Sequence, residues 1–315
     1  MRLIFAGTPH SAIPIIEALA ASHHEVCAVL TQPDRPKGRS RKPMPSPIKD
    51  FATQHGIEVF SPKKINNREF WAIFDALAPD AAVLTFYGGI IGRHLLASPK
   101  HGWLNVHPSL LPAYRGPSPV PSAILNGNTK TGVTIIRLDS EVDHGPIIRQ
   151  AESPVGENET AKELLLRMAQ IGAQEMIAAL DLVEKGEAHF AEQDHAAATF
   201  TKIFTKADGA IAWGTVRLHD FVRAMNPWPG ATTKLRIGAT NTIVNLSILR
   251  TETSADAPPT AVEPGTIVEM TQDGLVVRDS QGCVLITSVK AAGKKATPAR
   301  DFANGYHVKP GDKFE

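Results

Sequence analysis

Only two cysteines, Cys27 and Cys283, occur in 315 residues. They lie too far apart to outline a disulfide framework and fit a reducing compartment. No uninterrupted run of about 18 apolar residues is present, so no membrane-spanning helix is expected. The opening MRLIFAGT is too short an apolar run for a secretory h-region, and the expected location is the cytoplasm. An excess of one charge is lacking too: 33 basic against 32 acidic residues leave a formal charge of +1. That balance excludes coating nucleic acid by bulk charge, although it leaves room for a local basic patch. Dinucleotide binding lacks its fingerprint, because the turn after the first apolar run reads GTPHSA, with Gly7 alone where three glycines are needed. Gly7 is expected to serve a tight strand-to-helix turn. The twelve histidines include no H-E-x-x-H and no Cys/His cluster. Adjacent His23 and His24 read as exposed polar residues near a helix end, and no metal is expected.

What is present is ordinary globular material, 43% hydrophobic and 21% charged, enough for two cores of about 150 residues each. In the first half, RLIFAG, EVCAVLT, DAAVLTF, GWLNVH and TGVTIIRL read as buried strands, since fully covered parallel strands are near-continuous apolar runs. Helix-like spacing separates them: Ile13, Ile16 and Leu19; Ile48, Phe51 and Ala52; Phe70, Ile73 and Phe74. The alternation predicts an α/β fold with a doubly wound, mostly parallel sheet. A long amphipathic helix over about 160–185, starting at Thr160 and stopping at Gly186, is expected to close this domain.

After it the texture changes. Residues near 187–210 show no sustained period and are expected to form a linker, placed at 189–207 between a first domain of 1–188 and a second of 208–315. A short helix near 215–225 should end at NPWPG, where two prolines forbid continuation. The short runs NTIVNLSIL, GTIVEM, GLVVRD and CVLITSV then predict a small β-barrel.

Chemistry concentrates in NVHPSLLPAYRG, residues 105–116. Asn105 and His107, two apart on an extended chain, point to one side of it and can converge on one ligand. Downstream, LDSEVDHGPII supplies Asp139, Glu141 and Asp143, with Asp143 beside an expected turn at Gly145. The sequence alone does not rank the three acids. An imidazole, a carboxamide and a carboxylate suit acyl transfer: His107 to take a proton from an attacking amine, Asn105 to donate to an oxyanion, an acid to support the charged imidazole. The second concentration is TQPDRPKGRSRKPMPSPIK, where Arg35, Lys37, Arg39, Arg41 and Lys42 fall within eight residues broken by Pro36 and Gly38. Such a segment cannot form an ordinary helix and suits phosphate contacts at an RNA end.

The pattern N-V-H-P-S-L-L-P, then R-G, then D-x-G, resembles the signature of the folate-dependent formyltransferases, a family with a Rossmann-like catalytic domain. The resemblance implies that Asn105, His107 and Asp143 are the catalytic trio and that the donor is 10-formyltetrahydrofolate. It further implies folate contacts from Ser109, Leu110, Leu111 and Pro112, and from Tyr87 and Gly88, with the two prolines holding a rigid loop. The basic segment, NPWPG at 226–230 and AAGKK at 291–295 resemble the branch whose acceptor is initiator methionyl-tRNA. That likeness spans essentially the whole chain and implies an OB-like second domain lying along tRNA, a monomer, and direct amine attack through a tetrahedral intermediate. Lys234, Arg236, Lys290, Lys294 and Lys295 are its candidate phosphate partners. Two other readings stay open: a relative acting on another acceptor, such as a sugar amine, glycinamide ribonucleotide or water, and a catalytically silent RNA-binding homologue.

Overall fold

A computed structural model describes residues 1–36, 43–238, 241–253 and 262–315. By its internal contacts the chain divides into two compact units. The first comprises Met1–Pro119, Lys130–Pro154 and Leu165–Thr201, the second Val120–Thr129, Val155–Leu164 and Lys202–Glu315. Residues 189–201 of the expected linker therefore belong to the first unit.

The first unit's elements run β1 (Arg2–Ala6), α1 (Ile13–Ala21), β2 (Glu25–Leu30), β3 (Arg35–Pro36), β4 (Pro43–Met44), α2 (Pro47–Gln54), β5 (Glu58–Phe60), α3 (Arg68–Ala76), β6 (Ala81–Leu84), α4 (Arg93–Ala97) and β7 (Trp103–His107). After α5 (Pro119–Leu125), which from Val120 on belongs to the second unit, come β8 (Lys130–Arg137), β9 (Ile147–Pro154) and α6 (Ala161–Lys185), the last of these in the first unit from Leu165 on. Seven strands make one sheet in the order β5-β2-β1-β6-β7-β8-β9. Pairing is parallel from β5 to β7 and antiparallel for β7·β8 and β8·β9. β3 and β4 form a separate two-residue ribbon.

Local chemistry explains the helices. Ser46 caps α2 by accepting from Lys49 N–H with Pro47 in the first turn, and Asn67 caps α3 by accepting from Phe70 N–H. Of the apolar residues expected inside, Ile16, Leu19, Ile48, Ala52, Phe70 and Phe74 are buried. Ile13 and Phe51 are only half-buried, and Ile73 is 39% exposed, because positions 70 and 74 already take the inward face of α3. Gly7 is required by a close approach, since a Cβ there would stand 2.7 Å from the Phe5 ring. At the centre Trp103 is fully buried, stacks on Phe74 at 5.6 Å and donates its indole N–H to the Leu95 carbonyl at 2.6 Å. These contacts fix the start of β7, the strand that carries the polar pair.

In the second unit, α7 (Leu218–Ala224) ends just before the NPWPG run, as expected. There follow β10 (Ala231–Ile237), β11 (Thr242–Thr253), β12 (Ile267–Met270), β13 (Leu275–Arg278), β14 (Cys283–Ala291), β15 (Thr297–Pro298), α8 (Ala299–Tyr306) and β16 (Lys313–Phe314). The order is β12-β13-β14-β11-β10-β16, all antiparallel, with β15 on β14. A bridge from Thr266 to Lys313 joins the two ends, so the sheet nearly closes into the expected barrel. Trp213 stacks on Phe314 inside it at 5.1 Å.

Thr160 and Glu163 cap α6 reciprocally. Glu163 Oε2 accepts from the Thr160 amide at 2.8 Å and its hydroxyl at 2.7 Å, while the Glu163 amide returns to Thr160 Oγ1 at 3.4 Å. The Thr160 hydroxyl, with help from Arg250, pulls the Glu163 carboxyl from 4.5 down to about 2. The folded value is the lower one, so the carboxylate's contribution is complete above 4.5 and is lost as pH falls through about 2. Glu163→Gln keeps a capping acceptor but cannot ionise. Thermal melts should show a loss of about 1 kcal/mol or less at neutral pH, since the side chain is exposed, and a flatter stability profile than the parent's between pH 4.5 and 2.

Candidate active site

β7 is central in the sheet and all five of its residues are buried. Trp103, Asn105 and His107 share one of its faces. Asn105 is 6% and His107 4% exposed. Of the three candidate acids, Asp143 is the one that joins them: Asn105 Nδ2 donates to its Oδ1 at 3.3 Å, and its Oδ2 lies 3.5 Å from His107 Nδ1. Asp139 instead meets His144 Nδ1 at 2.6 Å, and Glu141 is exposed.

The tautomer follows from the partners. His107 Nε2 lies 3.0 Å from the Tyr114 carbonyl, which only accepts, so this nitrogen carries the hydrogen. In the neutral ring Nδ1 keeps its lone pair and faces the carboxylate. Protonation at Nδ1 then makes an imidazolium against Asp143, the pairing that stabilises a base after it has taken a proton. Asn105 spends one amide hydrogen on Asp143 and retains a second.

Asp143 holds a left-handed backbone conformation, φ 50°. Gly116 N–H donates to its Oδ2 at 2.8 Å. Gln193 Nε2 donates to the Asp143 and Gly145 carbonyls at 2.9 and 2.7 Å, and Gln193 Oε1 accepts from Arg115 Nη2 at 2.7 Å. Arg115 is only 3% exposed and also reaches His195 Nδ1 at 2.8 Å. His195 stacks on His144 at 3.9 Å. Sequence reasoning missed Arg115 and Gln193 as site residues. The R-G of the motif was a signal for Arg115 and Gly116, whereas Gln193 lies in aperiodic sequence and carries none.

The loop after β7 is braced by more than its prolines. Thr134 Oγ1 donates to the Ser109 carbonyl at 2.7 Å and accepts from Leu111 N–H at 3.1 Å, and Gln150 Nε2 donates to the Leu111 carbonyl at 3.0 Å. Ser109 is fully buried with its hydroxyl on the Ala113 carbonyl at 2.6 Å, and the Leu111–Pro112 peptide is cis. Leu110 and Pro112 are half-buried.

Beyond the carboxyl ends of β1, β2 and β6 lies a cleft of about 390 Å³. Thr8, Gln32, Phe86, Tyr87 and Gly88 form one part of its wall, Arg35, Met44 and Ser46 another. β2, β1 and β6 are neighbours, with the chain winding one way from β1 to β2 and the other way to β6. This is the topological switch point where open α/β sheets bind ligands. The volume falls in the range of small-molecule sites. Thr85 Oγ1 and Tyr87 Oη are buried with no hydrogen-bond partner among the described residues, and burial pushes the Tyr87 hydroxyl up to about 12. Ser109 to Pro112 lie outside this lining. Arg35 is exposed on β3, whereas Lys37, Arg39, Arg41 and Lys42 lie outside the described residues. On the barrel, Lys234, Arg236, Lys290, Lys294 and Lys295 are exposed, and Arg236 is paired with Glu315 at 2.5 Å.

Comparison with known proteins points the same way. A family model described as formyl transferase matches residues 1–180, and a second, formyl transferase C-terminal domain, matches 203–307. The chain is 40% identical over 317 aligned residues to methionyl-tRNA formyltransferase of Roseiflexus sp. (strain RS-1), covering 100% of this chain and 95% of the relative. It is 37% identical to the enzyme of that name from Moorella thermoacetica, covering 99% and 98%. Among solved structures, methionyl-tRNA formyltransferase from Clostridium thermocellum superposes with a TM-score of 0.56 at 18% identity, covering 81% of this chain and 94% of that one. HypX from Aquifex aeolicus, in complex with tetrahydrofolic acid, superposes with a TM-score of 0.65 at 16% identity, covering 98% and 48%. At these identities the structures speak for the fold.

The D-x-G spacing has a steric reason. A Cβ on Gly145 would stand 1.9 Å from the Arg137 carbonyl oxygen, a backbone atom that cannot step aside. Gly145→Ala should therefore destabilise the protein by about 3 kcal/mol, at the upper end of overpacking costs. The midpoint in differential scanning calorimetry should drop by roughly 10 °C, and an unchanged midpoint would contradict the packing described for this turn.

Proposed function

The chain belongs to the formyl transferase family, and on that premise we propose that it transfers the formyl group of 10-formyltetrahydrofolate to the α-amino group of initiator methionyl-tRNA, acting in the cytoplasm. The observation that carries this reading is the convergence of Asn105, His107 and Asp143, drawn from β7 and from the loop before β9, around one carboxylate. Folate, when bound, supplies the formyl group. The fit rests on the cleft at the switch point, on Tyr87 and Gly88 in its wall, and on the orphaned Tyr87 hydroxyl, which suits a heterocycle with polar edges.

In this scheme the amine attacks the formyl carbon directly, through a tetrahedral intermediate, and no side chain is acylated. Neither thiol suits a covalent route: burial pushes the Cys27 thiol up, away from the thiolate, and Cys283 is buried on a barrel strand. His107 Nδ1 takes the ammonium proton as the new C–N bond forms, Asp143 stabilises the resulting imidazolium, and the imidazolium returns the proton to the donor's nitrogen as the formyl C–N bond to that nitrogen breaks and tetrahydrofolate leaves. The second amide hydrogen of Asn105 donates to the oxygen on which negative charge develops. The described foot of the basic segment, Arg35 and Met44, borders the same cleft as Tyr87 and Gly88. That shared wall supports an acceptor end entering beside the donor, with Lys37, Arg39, Arg41 and Lys42 proposed to hold tRNA phosphates.

The test is turnover with the folate donor and charged initiator tRNA, run beside a nucleotide-linked amino sugar and beside water alone. Formylation of the aminoacyl-tRNA is expected. Transfer only to the sugar, or hydrolysis only, would replace the acceptor, and tRNA binding without any transfer would reduce the chain to a binding protein. Asn105→Ala and His107→Ala should each lower kcat by about 100-fold or more. Gln193→Ala, which touches no reactant, should lower kcat by about 10-fold with the tRNA KM near the parent's, because it loosens Asp143. A Gln193 variant with parental kcat would sink its positioning role alone, whereas parental turnover in His107→Ala would sink the mechanism.

A further inference from the structure

His23 and His24 connect α1 to β2, and Asp181 and Glu184 stand one turn apart near the end of α6. All four belong to the first unit, and one ligand atom from each lies within 4.8 Å of all the others. Unlike its neighbour, the His24 side chain is wholly enclosed, at 0% exposure. Its Nε2 has no hydrogen-bond partner among the described residues, and neither has the buried Asp181 Oδ1, although the two atoms are only 3.2 Å apart. The two atoms pair by distance but without a hydrogen bond, so the desolvation cost of a buried imidazole nitrogen and carboxylate oxygen is only partly offset. A cation between them satisfies both.

Two further ligand separations fall in the same range. His23 Nε2 stands 3.6 Å from the same Asp181 oxygen and 3.1 Å from Glu184 Oε2. Zinc bound tetrahedrally at about 2.0–2.1 Å sets neighbouring ligands about 3.3 Å apart, which lies between those values. The Met1 amino nitrogen lies 3.2 Å from His24 Nδ1 and donates to Glu184 Oε1 at 2.7 Å; zinc on Nε2 puts the ring hydrogen on Nδ1, so the Met1 nitrogen accepts it there as the neutral amine, and zinc binding releases that proton. We propose that His23 Nε2, His24 Nε2, Asp181 and Glu184 form a zinc(II) site. Two imidazoles with two carboxylates suit zinc, whereas magnesium and calcium take oxygen ligands. With four protein ligands the site is closed, a structural staple fastening the end of α6 to the corner between α1 and β2.

The experiment is calorimetric titration of the chelator-treated full-length protein with zinc chloride, paralleled by cobalt(II) chloride followed in the visible spectrum. One tight equivalent per chain is expected, with the intense visible bands of tetrahedral cobalt and a thermal midpoint that rises on adding zinc. His24 is buried and its replacement risks the fold, so the variants are His23→Ala and Asp181→Asn, at partly exposed positions. Each should keep the parental circular dichroism, weaken zinc binding by about 100-fold or more, beyond the effect of losing an outer partner, and abolish the rise in midpoint. Absence of tight binding in the parent, octahedral cobalt bands, or variants that bind zinc as the parent does would each overturn the assignment.

Discussion

The carboxylate of Asp143 is the contact on which the candidate site depends. One oxygen accepts from Asn105, and the other accepts from Gly116 and faces His107. A single charge thus orients the carboxamide, anchors the loop after β7 and faces the imidazole. Because the three groups share one acceptor, displacing it disturbs all of them at once, and their effects on turnover should not add independently.

Holding that carboxylate takes an unusual path of the chain. β8 runs antiparallel to β7, with Leu104 opposite Arg137 and His107 opposite Thr134, and Leu138 N–H bonds the Trp103 carbonyl. The loop after β8 therefore leaves the sheet beside the start of β7, yet Asp143 meets side chains two and four residues further along. It must travel back along the sheet face. Gln193 ties two carbonyls of this returning loop, and the buried Arg115 orients Gln193. The left-handed backbone at Asp143 and the tight approach at Gly145 are the turns that such a path imposes.

Much of this was legible in the sequence because each signal had one local cause. Five apolar runs became strands, Thr160 and Gly186 bracketed α6 as a capping box and a left-handed glycine, φ 72°, and the prolines of NPWPG ended α7. Asn105 and His107 shared a face because strand periodicity requires it. What failed to show was set by neighbours distant in the chain. TGVTIIRL is buried as expected, but a run covered on both faces looks the same whether its partners are parallel or antiparallel. β9 is an edge strand with mixed burial and left no apolar run to read. His23 and His24 looked alike in sequence, and the packing of α6 encloses only the second.

The aperiodic stretch after α6 shows why a missing pattern is a poor sign of a missing role. Residues 189–201 form no long element, yet Ala191 pairs with Ile147, Gln193 with the Asp143 loop, Thr199 with Pro112 and Tyr114, and Thr201 with Arg115. Extended backbone can satisfy two loops at once because its groups are not committed to a ladder of its own. The strap touches the loop bearing Ser109 to Pro112 through Thr199 and the loop bearing Asp143 through Gln193. A segment that reads as connection by composition acts here as the tie between the two halves of the site.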